Sequence, residues 1–276
     1  MGRKLAFVLL LAGALALGFF LGRRTLPVRY APAPAAAHAQ GTLAAEHPQL
    51  IAHAGGAVYG YRLTNSLEAL DTAYAAGHRC VELDFERTAD GDVVLLHDWE
   101  SMAARMLGSP GQRTLAEFKA APAFAGLTLL SLDDLLLWLD EHPEVSVVTD
   151  IKSDDNAAVL SQIAGQAGDL QRNFIPQIYA YDQYEPVRAL GYERIILTLY
   201  RMQKEPEVLA TFTAEHPLWA LTVDQTAISG DLIAAAGGAA VYCHTVNDLS
   251  FFEQWHAQGV TGIYTDYFVP DKWPAL

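Results

Sequence analysis

The chain reads as a (β/α)8 barrel, on three observations. From Leu50 onward, short apolar runs alternate with stretches long enough for a helix. Eight such runs occur, at 50–54, 79–86, 145–151, 174–179, 194–200, 218–223, 239–244 and 262–265. Acids, histidines and a lysine gather where these runs end, which is the rim of such a barrel that carries its chemistry. A doubly wound open sheet is the alternative architecture.

The segments ahead of the barrel differ in kind. Leu5 to Gly22 carries no charge and is flanked by Arg3, Lys4, Arg23 and Arg24. Its length lies at the lower edge of what spans a bilayer. Residues 1–24 are therefore expected to be a membrane anchor or signal segment, the uncleaved anchor being favoured. The run Ala35-Ala36-Ala37-His38-Ala39-Gln40 resembles a signal-peptidase site but lies far beyond the apolar core. In either case the globular part is expected at the cell envelope, anchored and facing outward or secreted. Basic residues at both ends orient the segment only weakly. Residues 25–48 are rich in Pro and Ala and read as a tether, leaving 49–276 for the barrel. About 230 residues suit one barrel or two small domains.

Helices are expected over 155–168, 182–190, 205–215, 229–237 and 248–258. Gly77, Gly168, Gly191, Gly237 and Gly259 mark helix stops. The stretch 92–97 reads as an extra strand folded back on 79–86 through the turn Asp90-Gly91. A small hairpin insertion is thus expected after the second strand.

The formal net charge is −14 and the pI is about 4.9. Such a surface repels polyphosphates, which argues against nucleic-acid partners. A phosphate substrate would need positive charge supplied in the site itself, most simply by a metal. Cys80 and Cys243 form no CxxC pair, so no zinc site is indicated. Strand parity points Cys80 inward and Cys243 toward the helices, so no disulfide is expected.

The most informative run is Cys80-Val81-Glu82-Leu83-Asp84-Phe85. Strand alternation puts Cys80, Glu82 and Asp84 on one face and the apolar Val81, Leu83 and Phe85 on the other. Two acids thus share one face of an otherwise buried strand. Neighbouring carboxylates repel and lose hydration there unless a cation neutralises them. A hard divalent ion with oxygen ligands explains this economically; acids facing solvent or basic residues are the plain alternative. Further along, His53, His97, Asp150, Lys152, Arg201, His244 and Asn247 all stand at run ends. Glu82, Asp84 and Asp150 could hold one Ca²⁺ or Mg²⁺ and leave positions open for phosphate oxygens and water. His53 and His97 titrate near neutrality and could serve as general base and general acid, in either assignment. Lys152 is placed to stabilise charge on a phosphoryl oxygen. The set suits in-line displacement at a phosphodiester. P-loop, GxSxG and HExxH patterns are absent.

These residues sit in runs that carry a resemblance. They are Ile51-Ala52-His53-Ala54-Gly55-Gly56, Thr64-Asn65-Ser66-Leu67-Glu68-Ala69, Glu82-Leu83-Asp84, Thr88-Ala89-Asp90-Gly91-Asp92-Val93-Val94 and His97-Asp98. Asp150-Ile151-Lys152, Thr245-Val246-Asn247 and Gly262-Ile263-Tyr264-Thr265-Asp266 continue them. In this order they resemble the glycerophosphodiester phosphodiesterases, within the phosphatidylinositol-specific phospholipase C-like barrels. The resemblance covers nearly everything after residue 48. It implies a TIM-type barrel, a metal at Glu82, Asp84 and Asp150, and acid–base catalysis by His53 and His97. It implies a small-molecule or lipid-derived phosphodiester as substrate, cleaved through a cyclic phosphate when a neighbouring alcohol attacks first.

The chain departs from that family at four places. The usual His-Arg-Gly is His53-Ala54-Gly55, so a phosphate-binding arginine is missing, and Arg201 or Arg62 is the candidate substitute. Of Glu-Asn-Thr only Asn65 transfers, as a positioning residue. The third acid, commonly Glu, is Asp150. The Trp that usually precedes Thr-Val-Asn is His244, which could face the leaving group or be a structural histidine. Two other readings stay open. One is a catalytically silent barrel serving as an envelope binding module. The other is a lyase that stops at the cyclic phosphate. Gln177, Tyr179 and Asp224 are candidate pocket residues. Trp99 reads as core or rim packing, and His38, His47, His78, His142, His216 and His256 receive no role.

Overall fold

The computed structural model describes residues 47–274, apart from 123, 152–155 and 203. The apolar segment 5–22, nearly all of the tether, and Lys152 lie outside the described residues. Among the described residues, no helix is long and apolar enough to cross a membrane.

The apolar runs form strands within a residue or two of where the sequence puts most of them. They are β1 (Leu50–Ala52), β2 (Cys80–Arg87), β4 (Ser146–Ile151), β5 (Phe174–Ile178), β6 (Ile196–Thr198), β7 (Ala220–Asp224), β8 (Ala240–His244) and β9 (Gly262–Thr265). Each pairs in parallel with the next, and β1 pairs with both β9 and β2. That double pairing closes the ring and rules out the open sheet. The ninth strand, β3 (Val93–Leu95), lies antiparallel on β2, with Phe85 opposite Leu95 and Arg87 opposite Val93. It is the hairpin expected from Asp90-Gly91.

The five helices expected are present as α5 (Asn156–Ala167), α6 (Tyr184–Ala189), α7 (Pro206–Glu215), α8 (Gly230–Ala235) and α9 (Leu249–His256), and two further helices, α1 (Leu67–Ala75) and α4 (Leu132–Glu141), precede β2 and β4. Several starts follow from local chemistry. The Ser66 hydroxyl accepts the Ala69 N–H at the head of α1, and Ser229 accepts from Leu232 at the head of α8. Ser131 and Asp134 form a reciprocal capping box on α4.

Strand alternation splits the core into two layers. Inside the barrel sit Ile51, Cys80, Val148, Ile175, Ile196, Tyr242 and Tyr264. Between barrel and helices sit Val81, Leu83, Phe85, Val147, Leu197, Val223, Cys243 and Ile263, packed on Leu70, Leu135, Val159, Leu209 and Phe252. Burying each such aliphatic side chain contributes roughly 1.5–3 kcal/mol. Both cysteines are free, buried and in separate layers, and burial pushes each thiol up to about 12.

The insertion after β2 is larger than the small hairpin expected. After β3 come α2 (Ser101–Leu107) and α3 (Leu115–Lys119), and with them a separate small core of Val58, Val94, Leu96, Met102, Met106, Phe118 and Leu127. Helices of seven and five residues are too short to show a clear helical period. The capping box Thr114–Glu117 was the one legible signal.

Closure depends on a close approach at β9. A Cβ on Gly262 would meet the Gln49 carbonyl oxygen at 2.6 Å and the Tyr242 ring at 2.6 Å. Neither neighbour is a free side-chain end. Gly262→Ala is therefore expected to destabilise the fold by roughly 1–3 kcal/mol, read as a lower midpoint in chemical denaturation.

Candidate active site

Register brings the acids together. Asp84 on β2 lies directly beside Asp150 on β4, and Glu82 lies two residues back on the same face as Asp84. All three are buried, and one carboxylate oxygen from each lies within 4.8 Å of the others. Each acid is held by a donor from a different element. The Ala54 N–H donates to Glu82 Oε2 at 2.8 Å. Asn65 Nδ2 donates to Asp84 Oδ2 at 2.9 Å, while Asn65 Oδ1 accepts the Asp84 N–H at 2.9 Å. The Tyr179 hydroxyl donates to Asp150 Oδ1 at 2.6 Å and accepts the Ile151 N–H at 2.8 Å. Asn65 itself has φ 49°, a left-handed conformation that Asn tolerates better than most residues.

His53 follows β1 in a short 3₁₀ turn, His53–Gly55. Its Nδ1 donates to Asp266 Oδ1 at 2.9 Å. Nε2 lies 4.0 Å from Glu82 Oε2 and 3.4 Å from Thr245 Oγ1. Asp266 follows β9 and is fixed in turn. Asn247 Nδ2 donates to its Oδ2 at 2.8 Å, Asn247 Oδ1 accepts the Asp266 N–H at 2.9 Å, and Arg62 Nη1 reaches Oδ2 at 3.3 Å. Burial alone would lower the His53 pKa, but the Asp266 bond and the charges of Glu82 and Asp84 outweigh it and raise it to about 9. Burial likewise opposes ionisation of Asp266, and the bond to His53 overcomes it and lowers that pKa.

A cavity of about 240 Å³ opens over these groups, lined by His53, Glu82, Asp150, Gln177, Thr198, Tyr200, Asp224, His244 and Tyr264. His244 ends β8 in register with Asp224 on β7. Gln177 and Asp224 thus line it as expected, and Tyr179 takes part through Asp150.

His97 is placed otherwise. It follows β3, next to Leu96, whose N–H donates to the Asp84 carbonyl at 3.1 Å. Its Nδ1 bonds Asp98 Oδ2 at 2.8 Å, and it stands outside the set that lines the cavity. Asp98 also accepts the N–H groups of Glu100 and Met102, at 2.9 and 3.1 Å, where α2 begins. Burial opposes ionisation of Asp98, but the bonds it accepts from His97, from the Met102 N–H and from Ser101 overcome it and lower its pKa to about 2. Arg201 is exposed, its guanidinium 4.5 Å from the Tyr179 ring centre and 5.3 Å from that of Tyr200. Arg62 is half exposed and turned to Asp266. Lys152 lies outside the described residues.

Sequence reasoning gave no role to Asp266, Tyr200 or Tyr264. Asp266 had a usable signal, an acid directly after the last strand. The tyrosines had none, because a tyrosine in a strand usually packs.

Residues 53–179 match the model of the glycerophosphoryl diester phosphodiesterase family. Similar solved structures include a glycerophosphodiester phosphodiesterase from Thermotoga maritima, 20% identical, covering 80% of this chain and 95% of that one, with a TM-score of 0.63. Another, from Agrobacterium tumefaciens, is 21% identical, covers 81% and 97%, and has a TM-score of 0.61. A phosphodiesterase from Oleispira antarctica, in complex with the product sn-glycerol-3-phosphate, is 20% identical, covers 80% and 94%, and has a TM-score of 0.63. At these identities the structural likenesses speak to the fold. The stretch that supplies all three clustered acids is the stretch that matches the family model, so residues 53–179 carry a domain match to the glycerophosphoryl diester phosphodiesterases, a family of phosphoric diester hydrolases.

Proposed function

We propose that the barrel hydrolyses a glycerophosphodiester, or a related lipid or envelope-polymer phosphodiester, with a divalent ion at Glu82, Asp84 and Asp150. The carrying observation is that cluster of three buried carboxylates within 4.8 Å, beside a histidine backed by its own carboxylate. The donor set is all oxygen, which suits Ca²⁺ or Mg²⁺ rather than a thiolate- or imidazole-seeking metal. When bound there, such an ion supplies charge neutralisation for the phosphoryl oxygens. The Oleispira complex with glycerol phosphate supports a small-molecule glycerophosphodiester as the substrate class.

With Nδ1–H committed to Asp266, His53 has Nε2 available to take a proton from the attacking hydroxyl, and Asp266 stabilises the imidazolium that forms. His97, oriented by Asp98, returns a proton to the leaving oxygen; the two roles can exchange. Asn65 fixes Asp84, while Arg201 and His244 contact the phosphate and the leaving group. Lys152 adds positive charge at the phosphoryl oxygens. For location, we propose an outward-facing barrel at the cell envelope, tethered by 25–48 to a segment at 5–22 that anchors it or is cleaved on export.

Two outcomes are expected. Hydrolysis of glycerophosphodiesters stops with chelator and returns with Mg²⁺ or Ca²⁺, and His53→Ala lowers kcat by about 10²–10⁴. Turnover indifferent to both chelator and His53→Ala contradicts the mechanism. In metal-free protein, His53 is expected to titrate at about 9 when followed by NMR, against an unfolded value near 6.5. The stability linked to it is fully present below about 6.5 and is lost as pH rises through about 9. Added divalent ion moves that titration downward, because it offsets Glu82 and Asp84, two of the charges that raise it.

A further inference from the structure

Tyr264 sits near the middle of β9, beside Ile51 of β1, so it shares the inward face of His53 two residues further along. It is 2% exposed and lines the same cavity as His53, Glu82 and Asp150. Its ring packs 6.1 Å from Tyr242 and 6.2 Å from His244, both nearly edge-on. Yet its hydroxyl has no hydrogen-bond partner among the described residues. Other buried tyrosines behave differently: Tyr242 bonds the Pro48 carbonyl, Tyr192 the Leu160 carbonyl, and Tyr179 bonds Asp150. A phenol that deep without a partner costs stability, so its retention calls for an explanation. Burial, then the charges of Glu82 and Asp150 among others, raises its pKa well above the ordinary value, so it remains an O–H donor.

We propose that the Tyr264 hydroxyl is a further binding group of the reaction site, donating from beneath His53 to a non-bridging oxygen of the bound phosphoryl group. The proposal rests on the phosphodiester reading and gives that reaction a donor from the closing strand.

Tyr264→Phe tests this, because it removes one oxygen and leaves the ring packing in place. Removal of a partnerless buried hydroxyl is expected to raise the thermal midpoint. Loss of a phosphoryl donor is expected to lower kcat/KM on a glycerophosphodiester by about tenfold to a hundredfold. A higher midpoint with kcat/KM unchanged within about twofold would overturn the proposal and leave the phosphodiesterase reading intact. A second measurement does not depend on turnover. With Mg²⁺ present, inorganic phosphate is expected to raise the midpoint of the unmodified protein more than that of Tyr264→Phe. Equal shifts, or no shift in either, would overturn the proposal. Absence of any turnover by the unmodified protein would instead sink the phosphodiesterase reading, while the phosphate comparison still decides on Tyr264.

Discussion

Mutual repulsion of three buried acids is the constraint on which the rest of the site depends. Asp84 and Asp150 are neighbours because β2 and β4 pair in that register, and Glu82 shares their face by strand parity. Such a cluster is unfavourable in a low-dielectric interior unless positive charge offsets it. The fold holds it rigidly all the same. A backbone amide after β1, an amide side chain ahead of α1 and a phenol after β5 each fix one acid. The donors arrive from three loops at one rim, so the arrangement exists only once the barrel is formed.

Closure and base orientation are one event. Pairing of β1 with β9 aligns Ala52 with Thr265, and the next residues on each strand are His53 and Asp266. Their hydrogen bond is thus set by the seam of the barrel. Asn247, from the loop after β8, locks Asp266 through both its side chain and its backbone N–H. The tight fit at Gly262 belongs to the same seam, so packing at the far end of β9 bears on the geometry of His53.

Much of this was legible in the sequence. The eight strands showed as apolar runs, and parity alone put Glu82 and Asp84 together and parted Cys80 from Cys243. What parity cannot supply is register between strands. Asp150 was placed at a strand end, but its position beside Asp84 came only with the sheet. Asp266 was written in the sequence yet received no role, since its function lies in a contact 213 residues away. The helices at 101–107 and 115–119 were missed because two short turns of helix leave no period to read. For His97 the sequence placed the histidine at a run end, and the structure adds the partner that holds it, its neighbour Asp98.

The central claim is that Glu82, Asp84 and Asp150 together form a cation site. Anomalous diffraction from crystals of the protein equilibrated with Mn²⁺, a surrogate for Mg²⁺ or Ca²⁺, addresses it most directly. The account predicts one strong peak bounded by carboxylate oxygens of all three residues. A map with no peak there, or with manganese bound only elsewhere on the protein, would contradict it.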